Sequence, residues 1–124
     1  MDKNKILIVD DEPDIAEVLG DRLEASGFDV RIVHRARACY EAVAEDAPDL
    51  ILMDLKMPEI SGMEALVELK MHHPQIPVVM VSASTTQEVA AESQRKGAAG
   101  FILKPFEPGT LMQKVNEVLG RPGG

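Results

Sequence analysis

The chain has 124 residues, enough for one domain that buries roughly two-thirds of the surface its unfolded form exposes. Its 45% apolar content argues against disorder, and a formal charge of −8 argues against nucleic acid or an anionic membrane as a direct partner. The one cysteine excludes an intramolecular disulfide, and no apolar run approaches the ~20 residues of a membrane span, so a cytoplasmic protein is expected.

The first apolar run, Ile6-Leu7-Ile8-Val9, ends in Asp10-Asp11 and reads as a strand buried on both faces. From Pro13 to Ala25, Ile15, Val18, Leu19, Arg22 and Leu23 recur at helical spacing. Pro13 suits a first helical turn, and Gly27, tolerant of left-handed geometry, stops the helix. Val30 to Val33 alternates like a second strand near a sheet edge. Ala36 to Glu45 reads as a second helix, closed by Pro48 and carrying Cys39 as a buried structural thiol. The third strand, Leu50 to Met53, runs into Asp54. After a loop containing Pro58, a helix spans about Gly62 to Met71, with Ser61 as its N-cap. Pro74 and Pro77 bracket the turn into a fourth strand, Val78 to Val81, which ends in Ser82. Thr86 to Lys96 is the next helical segment, ended by Gly97, and its apolar side has only Val89 and alanines. Phe101 to Leu103 is the fifth strand, ending in Lys104. Pro108 to Leu119 is the last helix, with Leu111, Val115 and Val118 on one face. Residues 1–119 are expected to form the domain, and 120–124, without periodicity, a flexible tail or the start of a linker.

Strand-helix units joined by short loops predict an α/β fold, a doubly wound five-stranded parallel sheet flanked by five helices. Ligands of such open sheets bind beyond the carboxyl ends of the strands. That edge collects Asp10, Asp11, Asp54, Ser82 and Lys104. Carboxylates brought together repel one another and raise at least one pKa unless a cation intervenes. An oxygen-rich cluster without His or Cys favours Mg²⁺ or Mn²⁺ over zinc. Lys104 offers a compact positive charge to phosphoryl oxygens, Ser82 a hydroxyl donor, and Asp54 a nucleophile that would yield an acyl phosphate. The bland alternatives are an acidic turn at Asp10-Asp11-Glu12 that caps a helix, a surface lysine closing a strand, and a turn serine.

With these residues in this order, the chain resembles the response-regulator receiver domain of two-component signalling. The resemblance spans residues 5–119 and rests on Asp10-Asp11, on Asp54-Leu55-Lys56-Met57-Pro58 running to Gly62, on Ser82-Ala83, and on Lys104-Pro105-Phe106. It implies a flavodoxin-like receiver fold and transfer of a phosphoryl group to Asp54 from a sensor histidine kinase or phosphotransfer protein. It further implies Mg²⁺ held by Asp11, Asp54 and the main-chain carbonyl of Lys56, with Asp10 assisting through water. The Lys104–Pro105 peptide would be cis, a geometry that proline makes accessible. A switch is implied too, in which Ser82 moves toward the phosphoryl group and Phe101 turns inward, with the Thr86–Lys96 helix as moving part. The domain would act through an effector domain or partner protein, or through a phosphorylation-dependent homodimer on the last two helices and fifth strand. Any DNA contact would come from elsewhere.

Departures from the family pattern are small. Ser61 stands where many relatives carry an acid, Ser82 replaces threonine, and Phe101 lacks a tyrosine's phenol. Lys56 and Ser84, each two positions after a key residue, are expected to set the acyl-phosphate lifetime by flanking the attacking water. His34, His72 and His73 read as exposed residues at helix ends rather than as phosphotransfer or metal sites, and the methionines as core filler rather than a binding groove. Two other classes compete. A haloacid-dehalogenase-like phosphohydrolase would carry an acid where Lys56 stands and would need a cap domain. A pseudo-receiver acting only as a binding module would have lost a key residue, and none is lost.

Overall fold

Strands and helices alternate without exception along the computed structural model, which describes residues 4–83 and 86–120. In chain order they are β1 (Lys5–Val9), α1 (Pro13–Ala25), β2 (Asp29–Val33), α2 (Ala36–Glu45) and β3 (Leu50–Asp54). Then come α3 (Gly62–His72), β4 (Val78–Ser82), α4 (Gln87–Arg95), β5 (Gly100–Leu103) and α5 (Pro108–Leu119). The strands form one parallel sheet in the order β2-β1-β3-β4-β5, so β2 is an edge strand as its alternating sequence predicts. The apolar runs of β3 and β4 are buried along their whole length, because helices cover both faces of a parallel sheet.

Alternate residues of each strand supply the two cores. Leu7, Val9, Ile51, Met53, Val78 and Met80 face α2 and α3, where they meet Cys39, Val43, Leu66 and Leu69. Ile6, Ile8, Leu50, Leu52, Val79 and Val81 face α1 and α5, against Leu19, Leu23, Leu111 and Val115. Each fully buried aliphatic side chain of this kind contributes about 1.5–3 kcal/mol relative to exposure. Cys39 lies inside the first core, and burial pushes its thiol up to about 12, so it is an inert packing residue, as expected.

Helix ends follow local chemistry. Past α1 the chain turns at Gly27, whose φ is +96°, and the Phe28 N–H returns to the Leu23 carbonyl at 3.1 Å. Ser61 caps α3 through a reciprocal pair with Glu64: its hydroxyl accepts the Glu64 N–H and the Glu64 carboxylate accepts the Ser61 N–H. The fourth helix is shorter than the Thr86–Lys96 segment read from the sequence. Thr86 has extended backbone, and its hydroxyl accepts the Val89 N–H at 3.2 Å, which makes it the N-cap. Lys96 is the C-cap, and Ser93 is the one residue of α4 buried outright. Elsewhere the bounds shift by a residue or so: β2 starts at Asp29, β3 and β4 run on to Asp54 and Ser82, α3 reaches His72, and β5 starts at Gly100. Ser84 and residues 121–124 lie outside the described residues.

Candidate functional site

The strand order reverses at the centre of the sheet, where β1 and β3 lie side by side and send their connections to opposite faces. A crevice opens at such a point beyond the carboxyl ends. Asp10 comes directly after the last residue of β1, and Asp54 is the last residue of β3. Ser82 closes β4, and Lys104 comes directly after β5. All four are buried, an arrangement that charged side chains adopt only when paired.

The pairing centres on Lys104. Its Nζ donates to Asp10 Oδ2 at 2.8 Å and lies 3.9 Å from both Asp54 Oδ2 and Glu12 Oε1. Asp10 Oδ1 accepts the Glu12 N–H at 2.9 Å, which ties the carboxylate into the first turn of the β1–α1 loop. Asp54 Oδ1 accepts the Lys56 N–H at 3.3 Å. Lys104 and Ser82 are linked through the backbone as well, the Lys104 N–H donating to the Ser82 carbonyl at 2.7 Å. The Lys104–Pro105 peptide is cis, as the resemblance implies.

Asp10, Asp11, Glu12 and Asp54 each offer a carboxylate oxygen, and these oxygens all lie within 4.8 Å of one another. One ammonium group cannot balance four carboxylates at that spacing. Asp54 registers the imbalance: its pKa is pushed up to about 6, first by burial and then by the nearby Asp10. The Lys104 charge and the Lys56 N–H pull the other way. A set of hard oxygen donors around a charge deficit suits a divalent cation such as Mg²⁺. Asp11 and Glu12 are exposed on the rim while Asp10 and Asp54 line the base, which leaves a cation open to water and to an incoming oxygen ligand.

The structure thus gathers Asp10, Asp11, Asp54 and Lys104 in one place, with Ser82 at the adjoining strand end. Lys56 is exposed and meets Asp54 through its backbone. Phe101 is partly buried, packed against the core beneath α2 and α3. Ser84 belongs to the undescribed residues. Two neighbours escaped the sequence reading. Glu12 looked like part of a capping turn; it is the N-cap of α1 and also reaches the cluster. His34 looked like an exposed residue beside a helix, and it is exposed, but its Nδ1 lies 2.9 Å from the Asp10 carbonyl. The register of β1 with β2, which sets Val9 opposite Val33, brings the residues after each strand together and is the signal that finds it. His72 and His73 lie at the α3 terminus away from the cluster, His72 paired with Glu68 at 3.0 Å.

Gly62 explains how the loop after β3 folds back onto the site. Its N–H donates to the Leu55 carbonyl at 2.8 Å, and a Cβ there would lie 2.1 Å from the Asp54 carbonyl oxygen. Only a residue without a side chain lets α3 begin so close to the end of β3.

A sequence model of the response regulator receiver domain matches residues 6–116. The regulatory protein AtoC of Escherichia coli is 36% identical over 104 residues, a match that covers 84% of this chain and 23% of AtoC. The chain therefore spans about a quarter of that relative's length. A CheY-like receiver domain protein from Methanospirillum hungatei superposes with a TM-score of 0.91 at 30% identity, covering 96% of this chain and 95% of that one. The receiver domain of NtrX from Brucella abortus gives 0.89 at 34% identity, covering 94% and 99%. With the fold, the acidic crevice and these matches in agreement, the chain belongs to the response regulator receiver domain family, whose role is to accept a phosphoryl group and control an output.

Proposed function

We propose that Asp54 is the phosphoacceptor, that Mg²⁺ sits among Asp10, Asp11, Asp54 and the Lys56 carbonyl, and that Lys104 and Ser82 hold the phosphoryl oxygens. Mn²⁺ has the same ligand preferences and would serve in its place. The observation that carries this reading is the convergence of four carboxylates and one lysine on the end of β3. Bound there, Mg²⁺ would supply positive charge to offset that of the carboxylates and of the phosphoryl oxygens.

The chain's own residues do the remaining work. An Asp54 oxygen attacks phosphorus in line as the bond to the donor's imidazole nitrogen breaks, and the imidazole leaves with the electron pair. The product is an acyl phosphate on Asp54. Lys104, 3.9 Å from Asp54 and held by Asp10, lies within reach of a phosphoryl group on that carboxylate. The donor is a phosphohistidine on a sensor kinase or phosphotransfer protein. The domain catalyses its own phosphorylation and dephosphorylation and turns over no separate substrate, with Lys56 and Ser84 setting the lifetime of the product.

The output runs through Ser82 and Phe101. Phe101 is partly buried and lines a cavity of about 430 Å³ with Ala90, Ala91 and Ala98, beside a helix that buries little of itself. Small side chains leave room for an aromatic ring to change its packing. We read residues 1–119 as the receiver unit and 120–124 as a tail or the start of a linker. The output is an effector domain, a partner protein or a homodimer formed on phosphorylation. No described helix is long and apolar enough to cross a membrane, and we assign the domain to the cytoplasm.

The test is intact mass after incubation with Mg²⁺ and a small acyl-phosphate donor. One phosphoryl adduct that needs the metal and disappears in Asp54→Asn is the expected result. A folded wild type that takes no adduct would point instead to a binding module, or to a receiver that takes the group only from its kinase. Sustained hydrolysis of a phosphomonoester would point to the hydrolase, against which Lys56 stands where that class needs an acid.

A further inference from the structure

Asp10 is tied at every polar atom. Its N–H donates to the Val33 carbonyl at 3.1 Å, Oδ1 accepts the Glu12 N–H, and Oδ2 accepts Lys104 Nζ. The fourth tie is the His34 ring, whose Nδ1 lies 2.9 Å from the Asp10 carbonyl. A carbonyl oxygen only accepts, so Nδ1 carries the proton.

That carbonyl belongs to the peptide joining Asp10 to Asp11, and the plane of the peptide sets the direction in which Asp11 leaves the backbone. Asp11 is exposed, so its carboxylate is aimed by the backbone rather than by packing. Yet its oxygen must stay with those of Asp10 and Asp54 if the three are to serve one cation. We infer that His34 is a positioning residue for the metal site: by holding the Asp10–Asp11 peptide from the end of β2, it aims the Asp11 carboxylate at the cation. This rests on the Mg²⁺ reading above and names a residue outside the acidic cluster on which metal affinity depends.

The effect should appear in affinity and not in the chemistry of phosphoryl transfer. Groups that orient a metal's ligands typically change affinity by tenfold or more when removed, so His34→Ala should weaken Mg²⁺ binding by about tenfold. Titration calorimetry on the whole chain reads this directly, without phosphorylation. The Mg²⁺ needed for half-maximal phosphorylation should rise in parallel, while the rate at saturating Mg²⁺ is retained. His34→Asn places an amide nitrogen where Nδ1 stands and should restore most of the affinity. His34→Gln carries its donor one atom further out and should not.

A merely structural histidine would lower the melting temperature of the metal-free protein and leave the Mg²⁺ affinity unmoved, and that result overturns the inference. So does an Asn variant as weak as Ala. A wild type that binds no Mg²⁺ in calorimetry removes the metal reading itself and the inference with it. Wild-type affinity retained in His34→Ala removes only the inference.

Discussion

Removing the charge of Asp54 should stabilise the metal-free protein. Its carboxyl is pushed from an ordinary 3.8 up to about 6, by burial first and by Asp10 after the opposing pull of Lys104. A raised acid pKa means that the folded chain holds the proton more tightly than the unfolded chain does. Between those two values the folded state binds more protons, so stability falls as pH rises through the window and stays low above it. That rise corresponds to about 3 kcal/mol. Water reaching the rim at Asp11 and Glu12 screens the like charges, which brings the expected penalty at neutral pH to about 1–2 kcal/mol. Asp54→Asn keeps the shape and avoids that penalty. For a domain of this size the gain is about 4–8 °C in melting temperature. Circular dichroism melts in chelator at pH 7.5 and pH 4.5 read the effect. The gap between variant and wild type should be wide at the higher pH, shrink at the lower one, and narrow when millimolar Mg²⁺ is added at pH 7.5. A wild type that melts at or above the variant in chelator at pH 7.5, or a gap indifferent to pH, would refute the account of crowded carboxylates.

Three further outcomes are expected from the same geometry. Gly62→Ala sets a Cβ 2.1 Å from the Asp54 carbonyl and 2.8 Å from Leu55 Cα, backbone atoms with no rotamer to give. It should cost about 3 kcal/mol in urea unfolding and slow phosphorylation of Asp54, and a near wild-type midpoint would count against the close approach. Lys104→Met leaves Asp10 buried without its 2.8 Å partner and should destabilise by about 3–5 kcal/mol, with part of the loss recovered on adding Mg²⁺; denaturation with and without metal checks both halves. Phe101→Ala should impair output while Asp54 still takes a phosphoryl group, measured as adduct mass beside an assay of partner binding or dimerisation, and equal loss of both would remove the switch role.

Much of the molecule is legible in the sequence because its signals are local. Apolar runs of four, each stopped by a polar residue, announce strands buried on both faces. The recurrence from Ile15 to Leu23, the Ser61–Glu64 cap and Gly27 announce helices and their ends. Parallel strands align their carboxyl ends, so the polar residue that stops each run is enough to place Asp10, Asp54, Ser82 and Lys104 at one edge. Family resemblance then supplies roles that spacing alone does not carry.

The hidden part depends on distances between residues far apart in the chain. No local pattern gives the order β2-β1-β3-β4-β5, since strand pairing is a contest among long-range contacts. Nor does one tell that Lys104 bonds Asp10 at 2.8 Å and stands 3.9 Å from Asp54, a difference settled by side-chain reach across two strands. Glu12 reads as a cap until the turn of the β1–α1 loop carries it to the cluster. His34 reads as an exposed residue until the register of β1 with β2 sets its ring against the Asp10 carbonyl. The sequence alone determined that Asp10, Asp11, Asp54, Ser82 and Lys104 would meet at the end of the sheet, because burial and periodicity act on neighbours. Only the tertiary structure decided which of them touch, because hydrogen bonds and charges respond to ångströms that chain separation does not record.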